Sequence, residues 1–144
     1  MVPAEFYITS KVISDGEEEV TEFFTVGEYG KRKGVYTMRY DETEGIGYEN
    51  CTVTITVDGD CITIRRTGPA ASTLTAEKGV KHHCVYGTPF GDFTMGINTY
   101  DVKNDLENDD EGKILWFKYS IDINNDFVSE NEMLIRVRSE EQAT

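Results

Sequence analysis

Positive charge is scarce in this chain. Its 14 Lys and Arg stand against 27 Asp and Glu, a formal net charge of −13 over 144 residues. A surface this negative repels phosphate backbones and anionic lipid headgroups, so neither nucleic acid nor a membrane surface is an expected partner. No apolar run approaches the roughly 20 residues that span a bilayer. The first residues, Met-Val-Pro-Ala-Glu-Phe-Tyr, have no basic stretch followed by an apolar one, so no secretory leader is expected.

The three cysteines, Cys51, Cys61 and Cys84, are odd in number and lack the Cys-x-x-Cys spacing of a redox or zinc site. Free thiols and no leader make the cytoplasm the expected location. Also missing are the Gly-x-Ser-x-Gly elbow, the His-Glu-x-x-His zinc motif and any Gly-rich phosphate loop. No catalytic residue, metal ion or cofactor is therefore implied, and the chain is read as a non-enzyme.

Two near-motifs fall short. His82 and Cys84 would share one face of a strand, but His83 points away from them, and two ligands do not make a metal site. Asp122-x-Asn124-x-Asp126 imitates the start of a calcium loop. That loop needs Gly at its sixth position and Glu at its twelfth, which here are Phe127 and Met133, so an Asn/Asp-rich turn is expected instead. The acidic run 105–111 is read as a solvated loop, and Asn104–Gly112 as a whole as an exposed hairpin connection.

What the chain has is alternation. In Cys51–Val57, the Cys, Val and Ile residues fall on one face and Thr52, Thr54 and Thr56 on the other. Asp58-Gly59 then signals a hairpin, and Ile62, Ile64 and Arg66 share a face of the returning run. Tyr36, Met38 and Tyr40 line up in the same way. So do Phe93, Met95 and Ile97, then Leu115, Phe117, Tyr119, Ile121 and Ile123, then Phe127, Met133, Ile135 and Val137. Asp15-Gly16, the basic Lys31-Arg32-Lys33-Gly34, Glu77-Lys78-Gly79 and Thr88-Pro89-Phe90-Gly91 mark further turns, and Asp122-Ile123-Asn124-Asn125-Asp126 includes the last one. No window has a convincing helical period, although Glu17–Phe24 can be forced into one.

This pattern predicts an all-β fold: a single antiparallel up-and-down barrel of roughly eight to ten strands. One domain covers 1–144, with its core in 5–138 and a polar tail at 139–144. A barrel of about eight strands has room for its own side chains or for one small ligand.

The run Tyr86-x-Thr88-Pro89-Phe90-Gly91-x-Phe93-x-x-Gly96, preceded by Arg66-x-Gly68 at a strand end, resembles the YwiB-like family of small bacterial proteins. The Tyr36–Glu42 strand and the closing hairpin from Tyr119 to Arg138 resemble it too. The resemblance implies a calycin-like, lipocalin-type barrel in the cytoplasm. It carries over no catalytic or binding residue, because that family has no defined activity.

Arg66 is the residue most open to a functional reading. It continues the Ile62–Ile64 face and so points inward at the barrel rim. A buried guanidinium needs an anion. One reading pairs it with Glu42 or Glu49. The other makes it the cap over a small carboxylate-bearing ligand, with Tyr36, Tyr40, Tyr86, Phe93 and Met95 as pocket walls. The expected function is non-enzymatic binding of a small molecule inside or at the mouth of the barrel. The alternative is a protein-interaction module, or a homodimer, whose barrel is solidly filled.

Overall fold

Ten strands follow one another with turns between them: β1 (Val2–Ser14), β2 (Glu17–Arg32), β3 (Val35–Asp41), β4 (Thr52–Asp58), β5 (Cys61–Thr67), β6 (Ser72–Glu77), β7 (Lys81–Thr88), β8 (Gly91–Asp105), β9 (Ile114–Ile123) and β10 (Asp126–Ser139). The structure, a computed structural model, describes residues 1–43, 49–88, 91–107 and 112–139. Side chains are described for all of these except 85–88, 91 and 92. Two expectations thus lie partly outside the described residues: the chain between Thr88 and Gly91, and the tail beyond Ser139.

Strand neighbours run β6-β5-β4-β3-β2-β1-β10-β9-β8-β7, all antiparallel. Every pairing except β1 with β10 joins strands adjacent in sequence, as the alternation and close-set turns predicted. The ends of the sheet, β6 and β7, curl round to meet at the turn between them. There the Val80 amide donates to the Glu77 carbonyl at 3.0 Å and the Gly79 amide to that of Thr99 at 3.2 Å. His82 Nε2 lies 2.8 Å from Glu77 Oε1 across the same seam. No ladder joins β6 and β7 beyond this point among the described residues, so the barrel is nearly closed.

The turn residues have the backbone that two-residue hairpin loops require. Asp15 and Gly16, Lys33 and Gly34, and Asn124 and Asn125 all have positive φ, as type I′ turns demand. Asp58 pairs with Cys61, so the turn expected at Asp58-Gly59 is the Gly59-Asp60 loop, one residue later. Lys33 is the poorest fit, since an L side chain with φ near 53° is strained. Lys33→Asn is expected to raise the unfolding free energy by about 0.5–1 kcal/mol, measured by urea denaturation.

Alternation places the core as predicted. Val53, Ile55 and Val57 of β4 are buried while their threonine neighbours are half-exposed. With Phe6, Met38, Ile62, Ile97, Leu115, Phe117 and Ile135, all at most 2 % exposed, they fill the waist of the barrel. Each such side chain contributes about 1.5–3 kcal/mol by leaving water.

Glu17–Phe24, which lacks a convincing helical period, is strand, held by its ladder to β1. Two expectations are corrected. Phe127 leaves the core phase because the register shifts between Phe127 and Ser129, and it stands 66 % exposed; a bulge inverts the faces on either side of it. The connection after β8 is not a purely solvated loop. Leu106 is buried in the core, its carbonyl accepts from Tyr29 Oη at 3.4 Å, and Asn104 Nδ2 donates to the Gly59 carbonyl at 3.1 Å. This segment therefore plugs one end of the barrel; residues 108–111 lie outside the described ones.

The near-calcium sequence is a turn. Asp122 is tied to Lys81 at 3.0 Å across Gly96, where a side chain would overlap both.

Candidate functional site

Among the described residues, the end of the barrel opposite Leu106 is the open one. Successive inward-facing residues become less buried toward it: Thr25 then Phe23 on β2, Ile62 then Ile64 on β5, and Ala76 then Leu74 on β6. The same holds for Ile97 then Met95 on β8, Tyr119 then Ile121 on β9, and Ile135 then Met133 on β10. The half-buried members of this series, Phe23, Ile64, Leu74, Met95, Ile121 and Met133, all pack on the core. They form an apolar ring above a filled floor.

Arg66 stands at the rim. Cross-strand register sets Tyr40, Val53, Arg66 and Ser72 side by side on β3, β4, β5 and β6. Glu42, just past β3, is fixed by its amide, which donates to the Cys51 carbonyl at 2.7 Å. Arg66 grips it with both arms of the fork: Nε donates to Oε1 at 2.6 Å and Nη2 to Oε2 at 3.2 Å. Nη1 reaches Ser72 Oγ at 3.4 Å. The Glu42 side chain is 3 % exposed and that of Arg66 26 %. Of the two carboxylates expected to compete for Arg66, Glu42 is the partner. A bidentate guanidinium–carboxylate pair fixes geometry as well as charge, and here it ties β5 to the chain leaving β3.

Tyr40 lies beneath the pair, edge-on to Phe23 at 6.2 Å between ring centroids and tilted against Phe6 at 6.1 Å. Burial pushes its phenol up to about 12; the Glu42 carboxylate adds to this and Arg66 opposes it. It is a neutral hydroxyl at ordinary pH. Beside Arg66, a cleft of about 510 Å³ opens at the seam, lined by Arg65, Arg66, Ser72, Thr73 and Cys84 among others. Burial raises the Cys84 thiol above its usual value, which disfavours the thiolate that a nucleophile or metal ligand needs. The His82 ring is engaged by Glu77 rather than turned to Cys84. Among the described residues no three His, Cys, Asp or Glu side chains converge to hold a metal ion.

The residues singled out in the sequence are thus divided by depth. Arg66 and Tyr40 meet at the open end. Met95 joins the apolar ring, and Phe93 is half-buried one step further out on the same strand face. The side chain of Tyr86 lies outside the described residues; its backbone pairs with Phe93. Tyr36 does not share the site. It shares a strand face with Tyr40 but sits four residues deeper, stacked on Tyr29 with ring centroids 6.1 Å apart and with Lys31 Nζ 5.2 Å from its ring. Phe23, Ile121 and Met133 join the site without having been singled out as its walls. Alternation gave the face of Ile121 and Met133 but not that of Phe23, and only the ladders gave the depth.

Buried phenols make the fold sensitive to alkali. Burial raises Tyr40 and Tyr119 to about 12, and raises Tyr29 as well. Their folded values exceed the unfolded value of about 10, so their contribution is intact below pH 10. It is lost as pH rises from about 10 through 12, where the unfolded chain ionises first. Urea midpoints should fall steadily across that interval, with phenolate absorbance lagging that of free tyrosine.

Comparison with known proteins gives the family. A curated relative, the uncharacterized beta-barrel protein YwiB of Bacillus subtilis (strain 168), is 24 % identical over 112 residues, which cover 78 % of this chain and 77 % of the relative. The crystal structure of the ywiB protein from Bacillus subtilis superposes with a TM-score of 0.76 at 19 % identity, covering 97 % of this chain and 93 % of that one. It shows the same β-barrel fold. Residues 7–135 match the domain of unknown function DUF1934, and the chain belongs to that YwiB-like family.

Proposed function

We propose that this barrel is a non-enzymatic binder that holds a small, largely apolar molecule at its open end. The observation that carries this reading is the ring of Phe23, Ile64, Leu74, Met95, Ile121 and Met133, half-buried above a fully buried floor. Apolar side chains converging on an open concavity, with a few fixed polar groups at the rim, are the usual make-up of a small-molecule site. The polar groups here are the Glu42–Arg66 pair, the neutral Tyr40 hydroxyl and Ser72. Because the waist is filled, the site is a shallow mouth rather than a deep calyx. Arg66 is already bonded to Glu42, so a ligand carboxylate would have to share the guanidinium rather than meet it bare. Free thiols and a strongly negative surface suit action in the cytoplasm.

Native mass spectrometry of protein purified from its own host tests this directly. Retained mass that disappears in a Met95→Glu, Ile121→Glu variant is the expected result. If the wild-type protein carries only its own mass, and a fluorescent apolar probe such as anilinonaphthalene sulfonate gains no emission that the variant loses, the reading fails.

A further inference from the structure

The two edges of β2 are used unequally. One is paired with β1 all the way from Val2–Tyr29 to Ser14–Glu17. The other meets β3 only over Gly27–Arg32. Among the described residues no strand pairs with β2 on that side over Glu17–Val26.

Hairpin geometry tells which backbone groups are left over. The two-residue Asp15-Gly16 loop makes Ser14 and Glu17 a mutually hydrogen-bonded pair, so odd-numbered residues of β2 bond to β1. The even-numbered ones face the other way. The Lys33-Gly34 loop gives the same answer independently, because it makes Arg32–Val35, and hence Gly30–Thr37 and Glu28–Arg39, the bonded pairs with β3. Glu18, Val20, Glu22, Phe24 and Val26 therefore turn their N–H and C=O groups to the unpaired edge.

The side chains of those residues stand on the outer face of the barrel. Val20, Phe24 and Val26 are 52 %, 47 % and 61 % exposed, and Phe24 packs on the exposed Tyr7 ring at 5.0 Å. Where β3 parts from β2, a Cβ on Gly27 would overlap the Arg39 carbonyl oxygen. A groove of about 1050 Å³ crosses this fork, lined by Thr25 and Val26 of β2, by Tyr40, Asp41 and Thr43, and on the far side of β2 by residues of β1 and β10.

We propose that the Glu18–Val26 edge of β2 binds an extended segment of a partner protein, in which Lys or Arg alternates with apolar residues along one face, by adding it to the sheet as a further strand. Backbone pairing supplies affinity in this mode, and alternate side chains supply specificity. Glu18, Val20, Glu22 and Phe24 stand on one face, so they are matched by a cation and an apolar group alternating at every second residue of the added strand, the cation nearest Glu18 sharing it with Lys11, whose Nζ lies 2.8 Å away. The same glutamates oppose a second copy of this chain, since pairing two such edges would bring like charges together in a molecule already at −13. This proposal does not depend on the occupant of the barrel mouth.

A fluorescein-labelled peptide of about ten residues, repeating Lys-Thr-Val-Thr so that Lys and Val alternate along one face, is the Lys/Val probe, with binding read by anisotropy. Val20→Pro removes an N–H that faces the open edge and leaves the β1 ladder intact, as proline on an edge strand can. It should weaken binding at least roughly tenfold, while Val20→Thr, which keeps the N–H, should bind like wild type. Glu18→Lys with Glu22→Lys should also weaken it at least roughly tenfold without touching the backbone. A Glu/Val peptide of the same length should not bind. Hydrogen exchange should show the Val20, Glu22 and Phe24 amides unprotected in the free protein and protected when the Lys/Val peptide is added. Equal binding by Val20→Pro, or by the Glu/Val peptide, would overturn the proposal. So would amides already protected in the free protein, which would mean that another part of the chain, or a second copy revealed by light scattering, covers the edge.

Discussion

Replacing Arg66 by methionine is expected to lower the unfolding free energy by about 3–5 kcal/mol, because it strands a buried carboxylate. The Glu42 side chain is 3 % exposed and has both oxygens bonded to the guanidinium. Methionine replaces most of the arginine stem, so little of the loss comes from packing. At about 2–4 °C per kcal/mol for a domain near this size, the thermal midpoint should drop by roughly 10 °C. Adding Glu42→Gln to Arg66→Met should restore much of that, because the pair as a whole contributes far less than either half costs when left alone. Thermal and urea unfolding of the single and double variants make this measurement. A loss under about 1 kcal/mol for Arg66→Met would mean that water reaches Glu42 freely.

Phe117→Ala should destabilise the fold by a similar amount, about 3–5 kcal/mol. The ring is fully buried, stacked on Tyr119 with centroids 5.6 Å apart, and its neighbours across the ladders are Met133 and Val102. Truncation leaves a ring-sized void in the waist, where floor residues from several strands meet. Phe127→Ala is the contrasting case. It removes the same side chain from a strand, but from a position 66 % exposed beyond a bulge, so its effect should stay within about 0.5 kcal/mol. Urea denaturation separates the two, and equal effects would contradict the bulge.

That contrast also shows what the sequence can and cannot carry. Period-two alternation reports which face a residue takes, and it placed the interiors of β3, β4, β5 and β9 without help. It set Arg66 inward and left Glu42 and Glu49 as its partners; the ladder between β3 and β4 decided between them. Alternation carries no information on height along the barrel. Tyr36 and Tyr40 are in phase, yet one lies deep against Tyr29 and the other lies under the rim. Nor does it survive a bulge, which is why Phe127 was read inward. Leu106 is hidden for another reason: one leucine among acids makes no pattern, and its place depends on Tyr29, which donates to its carbonyl, and on Asn104, which accepts from its amide and reaches the turn between β4 and β5. β2 was ambiguous because much of it is an edge strand with an exposed outer face, where burial does not enforce a pattern.

The order of the sheet has a kinetic consequence. Two runs of sequential hairpins, β1 to β6 and β7 to β10, contain only local pairings. They are zipped into one sheet by β1 against β10, strands separated by almost the whole chain. Closing so long a loop before any contact rewards it is slow. The meeting of Phe6 and Ile8 with Val137 and Ile135 is thus the natural rate-limiting event of folding. Ile8→Val or Ile135→Val should slow refolding, whereas Ile55→Val, in a hairpin completed locally, should act mainly on unfolding. Until that zipper closes, each half exposes a raw edge, so the interval before closure is when this barrel is most prone to aggregate.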